Sequence, residues 1–145
     1  MKNIQVFKKG KQIIAIVLRK NFKKSGNTFL CPSDFPEQLA FVSHKKNKVV
    51  KPHVHNRYKR TILRTQEIDI LKKGRIEVNL YTDDKKCFKS FVLNAGEAVL
   101  FASGGHGYRV LKDMDMILVK QGPYAGKKDK THITEKKVRS NAKKR

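Results

Sequence analysis

The sequence predicts an all-β fold, a sandwich or barrel of short strands, and three observations predict it. Arg75 to Tyr81 reads "RIEVNLY", with Ile76, Val78 and Leu80 on one face and Glu77, Asn79 and Tyr81 on the other. That period of two marks a half-buried strand. Short apolar runs recur at roughly the 8–12-residue spacing of sandwiches and barrels. No stretch keeps the 3.6-residue helical period through three turns.

Taken in order, "IIAIVL" (Ile13 to Leu18) has the continuous apolar character of a buried strand. It is too short for a membrane span or a signal peptide's apolar region. "PSDFPEQ" and part of the tail are candidate short helices. "RTQEIDILKKG" (Arg64 to Gly74) carries the strand before "RIEVNLY", and "YTDDKKC" is a hairpin turn with Asp83 and Asp84 at its tip. "KSFVL", "EAVLF", "YRVL" and "MILVK" follow as short strands, separated by "NAG", "ASGGHG" and "KDMD". With 145 residues the chain is expected to form one domain over 1–134, with a basic N-terminal extension. Residues 135–145 read as a basic, mobile tail.

The formal charge is +22, from 34 Lys and Arg against 12 Asp and Glu. Residues 1–51 hold 12 basic and 2 acidic groups (+10), 52–126 hold 13 and 8 (+5), and 127–145 hold 9 and 2 (+7). The excess therefore sits in the flanks, either as a solvated lysine background or as an anion-attracting surface. Nucleic acid is the least favoured partner, because the flanks interleave few aromatics (Phe7, Phe22, Phe29) with their charge. Cys31 and Cys87 match no zinc or redox spacing. Both are expected to be free and at least partly buried, in a reducing, cytoplasmic compartment.

The chemistry-bearing residues lie in the middle. His53 and His55 stand one residue apart in "KPHVHNRYKR". If "VKPHVHN" is a strand, both imidazoles point to one face, about 7 Å apart along the chain. Glu67 lies on the next strand, and His106 follows a glycine-rich turn. Three imidazoles and a carboxylate suit a divalent transition metal with open positions. Solvated histidines, and a Glu67 paired with Arg60 or Arg64, are the plainer alternatives. Asp69 shares Glu67's strand face and is a candidate base or partner to it. That holds if the face lines the interior, and Ile68 and Ile70 weigh toward the opposite orientation. Arg57, Arg60 and Arg64 are candidate grips for an anionic substrate, and Tyr108 is a candidate acid or stacking ring. Gly104, Gly105 and Gly107 are expected to allow a tight turn around His106.

These residues resemble the cupin family. Its first motif runs G-x5-H-x-H-x3,4-E-x6-G, and here His53 and His55 precede Glu67, with six residues between Glu67 and Gly74. Its second runs G-x5-P-x-G-x2-H-x3-N, and here Gly96, "EAVLF", Gly104 and His106 follow it. The chain departs in a loop of eleven residues between His55 and Glu67, and in Asn47, Ala102 and Val110 at the positions of Gly, Pro and Asn. One residue, not two, separates Gly104 from His106. The motif-bearing resemblance covers residues 38–122. "GGHGY" and the ending at Lys120 to Tyr124, Gly126, Asp129 and Lys130 are similar to small single-domain bacterial cupins encoded among surface-polysaccharide genes.

The resemblance implies a double-stranded β-helix, or jelly roll, and commonly a homodimer. It implies a divalent metal (Fe, Mn, Ni or Zn) on His53, His55, His106 and Glu67. The expected activity is that of a small-molecule enzyme acting on a carbohydrate or nucleotide-sugar, with isomerase or epimerase chemistry favoured over a dioxygenase. A non-enzymatic sugar- or anion-binding cupin is the alternative.

Overall fold

The computed structural model describes residues 3–134, and among these the fold is all-β with no α-helix. The strands are β1 (Ile4–Lys9), β2 (Gln12–Leu18), β3 (Gly26–Phe29), β4 (Ala40–Ser43), β5 (Glu67–Tyr81), β6 (Cys87–Asn94), β7 (Ala98–Phe101) and β8 (Gly105–Lys120). One antiparallel sheet runs β1-β2-β7-β5-β6, with β8 on the other edge of β5, and β3 and β4 form a separate pair. The sheet curls into a half-barrel. The tail expected at 135–145 lies outside the described residues.

Apolar alternation explains the curl's two faces. Ala15 and Val17 of β2, Val99 and Phe101 of β7, and Leu71, Ile76, Val78 and Leu80 of β5 pack together inside it. Their neighbours Ile16, Ile68 and Leu100 point outward, where Leu39 and the partly buried Leu30, Cys31 and Phe35 cover them. Both faces of β5 are therefore covered near its start, and the strict period of two is lost there.

The two long strands differ from the sequence expectation. "EIDILKK" and "RIEVNLY" are one strand, and "KDMD" does not interrupt β8. What the sequence expresses as breaks are irregularities in the β5–β8 ladder, between Leu71 and Ile76. Leu71 and Ile76 both face inward although five positions apart, so the irregular stretch resets the alternation. Gly74 sits in this bend at φ 85°, and a Cβ there would lie 2.1 Å from the Asp113 carbonyl oxygen. Gly74→Ala is expected to cost at least about 2–3 kcal/mol, from left-handed strain plus displacement of β8. Chemical denaturation would read it as a lower midpoint.

Three smaller expectations are corrected. Pro32 to Gln38 forms turns and bends, not a helix. Cys31 is half-buried, but Cys87 is exposed. "VKPHVHN" is not a strand: residues 42–65 are all exposed, and among the described residues no backbone–backbone hydrogen bond involves 49–65. This arm leaves the domain after β4 and rejoins it at Gln66, which is buried. The Gln66 amide N–H donates to Gln121 Oε1 (2.7 Å), its Nε2 to the Ala102 carbonyl (3.3 Å), and its Oε1 accepts from the Glu37 N–H (3.1 Å). No helix among the described residues is long and apolar enough to cross a membrane.

Candidate functional site

The pocket forms where β5 begins and ends. By register Glu67 stands opposite Phe101 of β7 and Lys120 of β8, while Leu80, at the far end of β5, stands opposite His106. Fifteen extended residues span roughly 45–50 Å, yet His106 Nε2 lies 3.2 Å from Glu67 Oε1. The strand closes that distance by rolling up, so both of its ends look into one cavity.

The turn from Ala102 to Gly104 aims the imidazole. The Ala102 and Ser103 N–H groups both donate to the Ile14 carbonyl, at 2.9 and 3.4 Å. Ser103 Oγ donates to the Ile13 carbonyl at 2.6 Å. Gly104 has φ 66°, and a Cβ there would stand 2.2 Å from the Tyr81 carbonyl oxygen. Only glycine permits this approach. The His106 ring then lies flat on Phe101, with centroids 3.8 Å apart and planes 7° apart.

Glu67 and Asp69 share the inward face of β5, the face that Ile68 and Ile70 had weighed against. The Glu67 carboxyl is held below its ordinary range, chiefly by the hydrogen bond with His106 and against the effect of burial. Asp69 is 1% exposed, and its Oδ1 has no hydrogen-bond partner. Burial first, and the adjacent Glu67 charge second, push its pKa from 3.8 up to about 7. At neutral pH this places an ionised carboxylate on an imidazole, backed by a carboxyl group that readily keeps its proton.

The cavity measures about 850 Å3 and has a basic rim that includes Arg64, Lys120, Lys128 and Lys130. Arg64 holds Asp83 through both terminal nitrogens, at 2.7 and 3.3 Å. Lys120 pairs with Asp129 and stands 4.7 Å from the Tyr124 ring centroid. Tyr108 also lines the cavity and is 45% exposed.

The structure thus brings together Glu67, His106, Tyr108 and Arg64, with Asp69 behind Glu67. It does not bring the others. His53, His55, Arg57 and Arg60 lie on the exposed arm and do not line the cavity. The two imidazoles there meet edge-on at 5.3 Å, His53 Nδ1 lies 3.0 Å from the Lys51 carbonyl oxygen, and the Arg60 guanidinium lies over Tyr58 at 5.4 Å. Sequence reasoning missed Lys120, Lys128 and Lys130 as rim groups. The signal was there, in the basic run that follows Gly126.

No family model, curated protein or solved structure matches the chain. The functional reading therefore rests on the site. A divalent metal wants at least three side-chain donors. The cavity is lined by Glu67, His106, Asp129 and His132, and among the described residues no group of three His, Cys, Asp or Glu side chains is placed to hold a metal. Within one chain, the four donors read from the sequence do not fit a metal centre.

Proposed function

We propose that the chain is a cupin-type small-molecule enzyme that binds an anionic carbohydrate, such as a nucleotide-sugar, and moves a proton on it. The supporting observation is the Glu67–His106 pair, in contact at 3.2 Å on the floor of a basic-rimmed cavity. The curled antiparallel half-barrel, with these groups on its inner face, is compatible with the cupin reading. A cavity of this size takes a sugar and part of the nucleotide attached to it.

The chemistry follows from the protonation states. The ionised Glu67 takes a proton from a carbon next to a carbonyl, and the bond electrons move onto the carbonyl oxygen. Tyr108 or Lys120 supplies a proton to that oxygen. For isomerisation the proton returns to the former carbonyl carbon while the neighbouring hydroxyl becomes the new carbonyl and gives its proton to Tyr108 or Lys120; for epimerisation a proton returns to the opposite face of the first carbon while the enol oxygen gives its proton back. The imidazole fixes the Glu67 carboxylate, and the stacked Phe101 fixes the imidazole. Arg64 and the rim lysines hold a phosphate or carboxylate, Arg64 by exchanging its grip on Asp83 for the ligand.

The test is a panel of nucleoside-diphosphate sugars in deuterated buffer. Binding is read by calorimetry and deuterium entry at carbon by NMR. The expected result is binding with deuterium entry, and a Kd raised about tenfold or more by Arg64→Ala. A panel that neither binds nor exchanges would refute the reading. Binding without exchange would leave the non-enzymatic alternative, for which the same basic rim speaks.

A further inference from the structure

We propose that residues 44–65 form an arm exchanged between two copies of this chain, hinged at Leu63 to Thr65, which stay at their own cavity, each arm lying along the open edge of the other copy's β8. The inference rests on the fold and stands whatever reaction the pocket performs. β8 is sixteen residues long and, among the described residues, pairs on one side only, with β5. About half its residues therefore direct an N–H and a carbonyl toward nothing. Along that edge Tyr108, Val110, Leu111, Ile117, Leu118 and Val119 are each 42–49% exposed. A long, apolar, unpaired edge is the feature that sheet proteins cover.

The same chain carries the matching half. The arm is extended, its backbone is unpaired over 49–65, and it exposes Val49, Val50, Val54, Tyr58, Ile62 and Leu63, the last at 95%. Structureless runs of this length are uncommon inside a compact domain unless they serve a function. An arm without apolar groups would be at home in water, but this one is not. Twenty-two residues laid against a strand edge can cover about the 800 Å2 per partner of a standard stable interface.

Charge selects the occupant. Residues 44–65 hold eight Lys and Arg and no acid. On β8, Asp113 and Asp115 are exposed and, among the described residues, form no ion pair. In a chain with only 12 acids, two unpaired ones stand on the edge that this basic arm would cover. Nucleic acid would satisfy the arm's charge but leave its apolar side chains and the β8 edge bare. A second copy satisfies all three.

The exchange would alter the pocket as well. His106, Tyr108, Leu118 and Lys120 lie on β8 and line the cavity. An arm docked on that strand therefore runs beside those residues.

The test uses the full chain and sedimentation equilibrium. The expected wild-type mass is twice the 16.7 kDa of the chain. An arm variant, Val49→Asp with Val54→Asp, and an edge variant, Val110→Lys with Val119→Lys, are each expected to raise the dimer Kd at least ~100-fold. The arm variant should keep the wild-type circular dichroism, because these side chains are largely exposed, Val49 at 75% and Val54 at 85%. Mixing the two variants should restore a dimer, since one intact arm then meets one intact edge. A wild type that stays monomeric at 100 μM, a dimer indifferent to the arm substitutions, or variants that do not complement on mixing would each overturn the proposal.

Discussion

Glu67→Gln is expected to slow deuterium entry into a bound sugar by about a hundred- to ten-thousand-fold, the range for loss of a positioned general base. Glutamine keeps the size of the side chain and an oxygen for His106 Nε2, so the stacked imidazole should stay in place. What it removes is the charge, and therefore the base. The loss should appear in the rate of exchange and leave the Kd nearly unchanged, because the anion is held by the rim and not by Glu67. His106→Asn is expected to slow exchange less, since it removes the group that fixes the carboxylate and leaves the carboxylate itself. A Glu67→Gln protein that exchanges at the wild-type rate would remove Glu67 from the reaction.

Asp69→Asn should make stability depend on pH in a way opposite to most carboxylate substitutions. The folded pKa, about 7, lies above the ordinary 3.8. The folded chain therefore holds the proton more tightly than the unfolded chain does. Below about pH 4 both states are protonated and Asp69 carries no ionisation penalty. Between 4 and 7 the unfolded state releases its proton first, and stability falls by at most ~1.4 kcal/mol per pH unit. Above 7 the penalty is constant, at most about 4 kcal/mol. Asparagine cannot ionise, so the variant should gain on the wild type steadily from pH 4 to 7. Any fixed cost of burying the amide, about 1–3 kcal/mol, shifts the whole curve without altering that slope. Urea denaturation of chelator-treated protein at four pH values measures it. Parallel curves for the two proteins would contradict the buried, proton-holding Asp69.

Much of the architecture was legible in the residues. The alternation of Ile76, Val78 and Leu80 gave the strand and its inner face, and Asp83 with Asp84 marked the hairpin tip. The glycines before His106 announced a close approach, which Gly104 makes against the Tyr81 carbonyl. The start of β5 was harder to read. Ile68 is buried under a second layer and Ile70 is partly exposed, so local pattern pointed the wrong way for Glu67 and Asp69. Periodicity reports one face against water, and it loses meaning where both faces are covered. The β8 strand was cut in two on paper because "KDMD" is polar, yet an edge strand can be polar at its middle and keep its pairing. The arm was misread for a related reason. "VKPHVHN" has the period of a strand, but a strand exists only with a neighbour, and among the described residues of the chain none supplies one. Lys128 and Lys130 reach the cavity through the course of the chain after β8, which no local pattern encodes.

The rolling of β5 also has a kinetic consequence. Glu67 and His106 are 39 residues apart in sequence, and they meet only after a fifteen-residue strand has bent and its ladder with β8 has formed end to end. Such distant closures are made late, because the chain entropy they cost must be spent before any contact repays it. The dyad is then the seam at which the two ends of the rolled strand meet. It would assemble only after that ladder on refolding, so a probe on the His106 ring would report the rolling of β5 and not the collapse of the core.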